Sequence, residues 1–429
     1  MKFLHFDEAK QAAIADVREW VGGATQDVRA MLIVDLFGKL RLVLWSSASA
    51  DTSKLGEGLA SNCGAWWTGQ VLDVNDLDPV TTTIYDSAWD SGRPDEVEPR
   101  FRVHDRHRSR TAWFSGPIEP PWKASEVDPP VIVFYSFKGG LGRSTLLASF
   151  AIQRARVGER VCVVDYDLDS PGAGRLLSAD AQGLTARWGV VDFLLERSLT
   201  GAPLADYFHR CDRVAAAGEI VVIPAGNLDG EYADKLARID LEEAPQAHDS
   251  GLWKLLTRVR DELKPQWILL DARTGISEPA GQLLSGIAHL HVLLGTTQDQ
   301  SWQGLSLVLE RLGKERVLAE RQQAELLLVQ AMVPTGEPGK AAKEIFAARA
   351  EEEFDSLYYA AEEGDADDRF WTLGDKGSQD APHAPMPLEY DSKLAGFSDI
   401  TEVADALCSG PYIPIVERIV SRFLMEPDT

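Results

Sequence analysis

The sequence has no close pair of cysteines, no long apolar run and a shortage of positive charge. Its four cysteines, Cys63, Cys162, Cys211 and Cys408, are scattered, so no metal knuckle is suggested. Cys162 lies inside an apolar strand pattern and reads as a reduced, buried thiol. No apolar stretch is long enough to cross a bilayer. The opening residues, Met1 to Glu8, lack the apolar stretch of a signal peptide, so a cytoplasmic location is expected. There are 43 Lys and Arg against 67 Asp and Glu, a formal net charge of −24. That far field disfavours binding of DNA or anionic membrane by the whole surface, although it does not exclude a local basic patch. Repeats and low-complexity tracts are absent.

What is present is a globular composition, 45% hydrophobic and 26% charged over 429 residues, which is too long for one ordinary core. Two domains are expected, a smaller α+β module over residues 1–128 and a larger α/β domain over residues 129–429. In the first, Ala9, Ala12, Ala13, Ile14, Val17 and Trp20 share a face of a helix spanning Asp7 to Val21. Met31 to Trp45 reads as two strands joined at Phe37-Gly38-Lys39. Acidic, turn-rich sequence runs from Asp73 to Glu98, followed by a strand from Phe101 to Phe114. Trp66, Trp67, Trp89, Trp113 and Trp122 supply core for this part. Pro117, Pro120, Pro121, Pro129 and Pro130 mark a linker.

Beyond the linker, short apolar runs alternate with helical segments, the pattern of a mostly parallel twisted sheet covered by helices on both faces. The runs are Val131–Tyr135, Arg160–Val164, Glu219–Ile223, Trp267–Leu270, Leu290–Leu294 and Leu326–Gln330. Leu252, Leu255, Leu256, Val259 and Leu263 form a helical stripe before the fourth. Between the first run and the helix that starts at Ser144 lies Phe137-Lys138-Gly139-Gly140-Leu141-Gly142-Arg143-Ser144-Thr145. Glycines let such a loop fold tightly and aim N–H groups at phosphate oxygens, and the helix N-terminus adds its positive end. The residues from Lys138 to Thr145 are therefore the candidate ATP cradle, and the Ser144 hydroxyl is a candidate Mg2+ ligand. The bland alternative is a glycine-rich turn without ligand.

Phe137 stands where the general phosphate loop has its first glycine, and Arg143 where it has lysine. Lys-Gly-Gly-x-Gly-[Lys/Arg]-[Ser/Thr] resembles the deviant Walker A motif of the ParA/MinD ATPases, P-loop proteins of the SIMIBI class. The resemblance implies a P-loop NTPase fold, an ATP-bridged homodimer and slow hydrolysis that controls a protein partner. It implies that Lys138 reaches the partner subunit's phosphates and that Arg143 takes the β,γ-phosphate role. In Val164-Asp165-Tyr166-Asp167-Leu168-Asp169 the strand ends in alternating aspartates. Their mutual repulsion suits a nearby cation, and the bland alternative is a solvated strand end. On the resemblance, Asp167 orients the attacking water and Asp165 sits nearer the metal. Trp267-Ile268-Leu269-Leu270-Asp271 matches a Walker B strand, with Asp271 toward Mg2+.

Arg273-Thr274-Gly275, Ile223-Pro224-Ala225-Gly226 with Glu231-Tyr232, Gln298-Asp299-Gln300-Ser301 and Pro387-Leu388-Glu389-Tyr390-Asp391 fit a subgroup with arginine in the loop. Arg273 is expected either to answer γ-phosphate occupancy or to form a structural salt bridge. The length between Ser144 and Asp271 implies an inserted helical segment near Ala179–His209. Two other functions share this loop: a nucleotide sensor or scaffold with little hydrolysis, and a kinase-like or synthetase-like transferase. The tyrosine-rich tail of the autokinases is missing, with Tyr412 alone near the end. Arg100, Arg102, His104, Arg106, Arg108 and Arg110 alternate along the expected strand. They form either a basic face for nucleic acid or an acidic partner, or a solvated face that balances the preceding acidic stretch. His104 and His107 are too few for a metal site. Ile415, Val416, Ile419, Val420, Phe423 and Leu424 form an apolar stripe, read as a terminal helix packed on the sheet rather than a membrane anchor.

Overall fold

The computed structural model describes residues 5–25, 27–46, 51–106, 111–113, 120–125, 128–196, 202–239, 250–318, 324–359, 371, 377–394 and 396–423. The chain divides into two compact units, Met1–Ser109 and Arg110–Thr429.

The first unit is a five-stranded sheet in the order β3-β2-β1-β5-β4. Its strands are β1 (Arg29–Val34), β2 (Leu40–Trp45), β3 (Trp67–Asp73), β4 (Arg93–Pro94) and β5 (Phe101–Asp105). The β1–β2 pair is the expected antiparallel hairpin. Alternation sorts its side chains into two cores. Ala30, Leu32 and Val34 meet α1 (Phe6–Gly23) through Ala9, Ala13, Val17 and Val21, and α2 (Ser53–Cys63) through Leu55 and Leu59. Met31, Ile33 and Val43 face the other way, toward Tyr85, Ala88 and Trp89 of α3 (Pro79–Ser91).

Two expectations fail in this unit. The stretch read as turns from Asp73 to Glu98 contains α3, because Asp78 caps the N–H groups of Val80 and Thr81 and Pro79 occupies the first turn. The strand expected to reach Phe114 stops at Asp105; His107, Arg108, Arg110, Phe114 and Pro117 lie outside the described residues. No displayed basic face forms from the rest. Arg100 holds Glu98 and donates to the carbonyls of Val21 and Thr25. Arg102 lies on the Trp89 ring and donates to its carbonyl.

The second unit is an eight-stranded sheet in the order β13-β12-β11-β6-β10-β7-β9-β8. The strands are β6 (Val131–Ser136), β7 (Arg160–Tyr166), β8 (His209–Arg210), β9 (Glu219–Ile223), β10 (Trp267–Ala272), β11 (Leu290–Gly295), β12 (Glu325–Val333) and β13 (Met386–Glu389). All pairings are parallel except β8 with β9. Every side chain of β6, β10 and β11 is buried, as a sheet covered on both faces requires. One face packs Val133 and Leu270 against Leu252, Leu255 and Leu256. The other packs Ile132 and Val163 against α4 (Arg143–Arg156) and a last helix, Tyr412–Ser421. That helix buries Ile415, Val416, Ile419 and Val420 as expected; Leu424 lies outside the described residues. Among its described residues, the segment near Ala179–His209 is mostly loop, with one helix at Val190–Glu196 and a 3-10 turn at Leu204–Tyr207. Among the described residues no helix is long and apolar enough to cross a membrane.

The division between the units falls well before the expected linker end at residue 128, because the intervening chain is part of the second unit. The Ala112 N–H donates to Glu278 Oε1 at 2.8 Å and Trp113 Nε1 to the Ser277 carbonyl at 2.6 Å. A Cβ at Gly281 would come within 2.7 Å of the Trp113 ring, so that contact depends on glycine. His289 accepts from the Val131 N–H through Nδ1, which leaves Nε2 to donate to the Trp122 carbonyl.

His291, on β11, is fully enclosed, and burial pushes its ring down to about 4. An unfolded histidine titrates near ~6.5, so between the two values the native state binds fewer protons than the unfolded one. Its contribution is complete above about 6.5 and is lost as pH falls, by about 1.4 kcal/mol per pH unit. Urea unfolding at pH 7.5 and pH 5 is therefore expected to cost the parent about 2 kcal/mol more than the His291→Gln variant. Equal losses would show that His291 is not a buried neutral ring.

Candidate functional site

β6 ends at the centre of the sheet, and its last residue leads into the loop at the carboxyl edge, where open α/β sheets bind ligands. Gly140 and Gly142 take positive φ, 77° and 82°, a backbone that other residues adopt only at a cost. A Cβ at Gly139, Gly140 or Gly142 would meet nothing within 4 Å, so the loop rims open space. Gly142 is the N-cap of α4 and offers no side chain to the first-turn N–H groups. An anion is the natural partner for such an end.

The loop is braced from outside. Phe137 leaves the sheet and its ring lies on Gly304, where a Cβ would come within 1.9 Å of it. Ser136 Oγ donates to the Lys138 carbonyl at 2.9 Å. Tyr135 donates its hydroxyl to the Gly275 carbonyl at 3.2 Å, linking the loop's base to the segment after β10. Lys138 Nζ donates to Gln298 Oε1 at 2.8 Å. Gln298 follows β11 and begins a turn in which Ser301 Oγ accepts from the Thr296 N–H. The partnership of Lys138 with Gln298 was not visible in the sequence, although Gln298-Asp299-Gln300-Ser301 had been singled out.

The aspartates separate into three environments. Asp271 and Asp165 sit side by side across β10 and β7. Asp271 is fully buried; Ser144 Oγ donates to its Oδ2 at 2.6 Å and Arg143 Nε to its Oδ1 at 2.6 Å. Asp167 is also buried and takes Arg143 Nη2 on Oδ2 at 3.0 Å. Asp165 turns back to the chain that follows, accepting the N–H groups of Gly172 and Gly174, both at 3.0 Å. Period-two spacing had placed Asp165, Asp167 and Asp169 together, but β7 stops at Tyr166. Asp169 leaves the group and pairs with Arg273, so Arg273 takes the salt-bridge role of its two expected ones. Tyr232 fixes the same loop by donating its hydroxyl to the Leu168 carbonyl at 2.7 Å.

Burial first, and then the charge of Asp271, pushes the Asp165 carboxyl up to about 7. Burial also raises Asp271, against the opposing pull of Arg143 and Ser144. Burial alone would lower Arg143, but Asp271 and Asp167 more than offset it. Among the described residues the site is therefore short of positive charge, with Arg143 as the cation that bonds Asp271 and Asp167. Among the described residues no group of three or more His, Cys, Asp or Glu is disposed to hold a metal by itself. A divalent cation there would need ligands beyond the protein, as a nucleotide-bound Mg2+ does. The residues fit such a group: an open cradle of N–H donors, a hydroxyl at Ser144 and carboxylates beside it.

The expected site residues Gly139 to Thr145, Asp167 and Asp271 thus converge at one edge. Two depart from their expected posture: Arg143 lies among carboxylates instead of facing the cradle, and Asp165 serves the backbone of residues 172–174. Tyr412 is buried at the start of the last helix and is no exposed phosphoacceptor.

An isolated buried charge is expensive, so removing Arg143 leaves two carboxylates without a counter-ion. Arg143→Ala is expected to cost about 3–5 kcal/mol of unfolding free energy at neutral pH. In a double-mutant cycle with Asp271→Asn, the combined loss should fall short of the sum by about 1–3 kcal/mol. Additive costs, measured by urea denaturation, would mean that the two side chains do not interact.

No protein-family model matches the sequence, and no curated protein does. Among solved structures the chain is similar to pNOB8 ParA bound to nonspecific DNA, at 17% identity and a TM-score of 0.46, over 68% of this chain and 98% of that one. A putative plasmid partition protein from Borrelia burgdorferi bound to AMPPNP is similar at 15% identity and 0.44, over 69% and 99%. The MinD cell division protein of Aquifex aeolicus is similar at 15% and 0.43, over 70% and 99%. By its strand order and by the glycine loop between β6 and α4, the second unit is a mostly parallel α/β domain with a strand, glycine loop and helix at the carboxyl edge of its sheet.

Proposed function

We propose that this protein is an ATP-dependent molecular switch: it binds ATP with Mg2+ in the 138–145 cradle, dimerises on it, and hydrolyses it slowly to control a partner protein. The observation that supports the reading most is the open glycine cradle on an uncapped helix end, beside buried carboxylates that lack enough positive charge. Backbone N–H groups of the loop and α4 bind the phosphates, and Ser144 with Asp271 holds the Mg2+ side. Bound Mg2+ supplies charge neutralisation at the phosphates. Asp167 positions water, and Lys138 reaches the phosphates of a second subunit. Phosphoryl transfer asks mainly for positioning and electrostatics, which fixed backbone dipoles and buried charges provide.

Lys138 has to leave Gln298 to act across a dimer. That contact is a single half-exposed hydrogen bond of modest net strength, so ATP is able to displace it. The first unit, residues 1–109, carries the dimer state to a protein partner. Direct DNA contact is not part of this reading, because Arg100 and Arg102 are engaged inside that unit and the chain is strongly acidic.

A second reading, a nucleotide sensor or scaffold with little hydrolysis, is favoured by one observation. Asp167, the water-positioning candidate, is held by Arg143. The two readings separate on turnover: steady ATP hydrolysis abolished by Asp167→Ala supports the switch, whereas tight binding without turnover supports the sensor.

Light scattering of the parent and of Lys138→Ala, each without ligand and with ATP plus Mg2+, tests the dimer. Dimers that need ATP and disappear in Lys138→Ala are expected, with Gln298→Ala dimerising at lower ATP concentration than the parent. A parent unmoved by nucleotide, or a Lys138→Ala protein that dimerises equally, removes the trans lysine.

A further inference from the structure

Arg143 is the first residue of α4, directly after Gly142 in its left-handed conformation, and its N–H belongs to the cradle. Its side chain takes the other direction. Only 8% of the residue is exposed, and the guanidinium spans Asp271 and Asp167. Nε and Nη2 are satisfied there, whereas Nη1 is buried without a hydrogen-bond partner. Ser144 donates to the remaining oxygen of Asp271. The other nearby cations are committed elsewhere, Lys138 to Gln298 and Arg273 to Asp169.

We infer that Arg143 is the resident cation of the unloaded site: its guanidinium supplies, beside Asp271 and Asp167, the positive charge that a divalent cation would supply on loading, and the two exchange. The inference rests on the phosphate-site reading above. Three features support it. Two buried carboxylates need a counter-ion in the empty protein, and the planar fork of an arginine reaches both at once, where an ammonium would serve one. The orphaned Nη1 marks an incomplete fit, which a phosphate oxygen would complete once the side chain turns to the cradle. Lastly, the residue stands where loop meets helix, so a change in its side-chain torsions suffices and the backbone of α4 stays in place.

The exchange makes nucleotide and cation mutually dependent. A cation alone meets carboxylate oxygens that Arg143 already occupies. A nucleotide alone draws Arg143 away and strands Asp167 and Asp271. Only together do they leave every buried charge compensated, which is a coupling free energy between two ligands in the ordinary sense.

The test uses the full chain, without nucleotide, and Mn2+ as probe, with free Mn2+ followed by electron paramagnetic resonance and stability by thermal melting. The parent should bind Mn2+ negligibly and melt at the same temperature with or without it. Arg143→Ala and Arg143→Gln should each bind Mn2+ roughly tenfold or more tighter than the parent and regain melting temperature when it is added. Adding Asp271→Asn to Arg143→Gln should abolish the gain. A parent stabilised by Mn2+ alone, a folded variant that binds no better, or a gain that survives Asp271→Asn overturns the exchange. If Arg143→Ala fails to fold, Arg143→Gln keeps a hydrogen-bonding side chain at the position and carries the comparison. ADP binding to the parent in the presence of Mg2+, measured alongside, separates the two ideas: a parent that takes no ADP with Mg2+ removes the phosphate-site reading, while the Mn2+ results bear on the arginine alone.

Discussion

Parallel strands bring acidic side chains to one edge of the sheet, and the second unit is arranged around the charge that gathers there. Asp165 and Asp271 are neighbours on β7 and β10, with Asp167 just beyond. None of the three is exposed, so none is neutralised by solvent. Each is compensated differently: Asp165 by backbone N–H groups, Asp167 by a guanidinium, and Asp271 by that guanidinium and a hydroxyl. The compensation is incomplete, as the raised Asp165 and Asp271 carboxyls show. A protein that needed only stability would be better served by apolar residues at these positions. Their position at the carboxyl edge, next to the open glycine loop, supports the cationic ligand of the proposed function.

The surrounding structure holds this arrangement in register. Tyr135 ties the loop's base to Gly275, Tyr232 ties the aspartate loop to its own helix, and Phe137 anchors the loop's start on the bare backbone of Gly304. These braces come from β6, from the helix at Tyr232–Arg238 and from the helix at Asp299–Leu318, so separate segments hold the glycine loop and the aspartate loop. The segment after β10 has a second attachment. Ser277 and Glu278, a few residues beyond Asp271, hold Trp113 and Ala112 at the start of the second unit.

Much of this was legible in the sequence because it is written in periodicity and punctuation. Six buried parallel strands stood out as apolar runs, and the loop's glycines and its following helix needed no tertiary information. The failures have physical causes. The helix Pro79–Ser91 buries no residue fully and has only the short stripe of Tyr85, Ala88 and Trp89, so its Asp78-Pro79 start is its clearest sign. β13 (Met386–Glu389) is four residues long and contains a proline, tolerated at the sheet's end. The alternating arginines after Glu98 looked like a face because alternation was extended past the strand's end at Asp105. The same error joined Asp169 to Asp165 and Asp167. Side-chain direction was the hardest element: a motif gives the position of Arg143 but not its partners, since those lie on strands far away in the chain.

The choice of arginine follows from that geometry. A lysine at residue 143 could hold one carboxylate, leaving the other buried and unpaired, and its pKa would fall with burial. Arginine stays charged and offers donors in several directions, so one side chain hydrogen-bonds two carboxylates and keeps one donor unspent. The empty site is thereby held together and, on the exchange inferred above, a cation enters at the carboxylates only as the arginine leaves them. For an enzyme built for fast turnover that is a disadvantage. A switch is served by it, because both of its states must be long-lived and only the simultaneous arrival of anion and cation should convert one into the other.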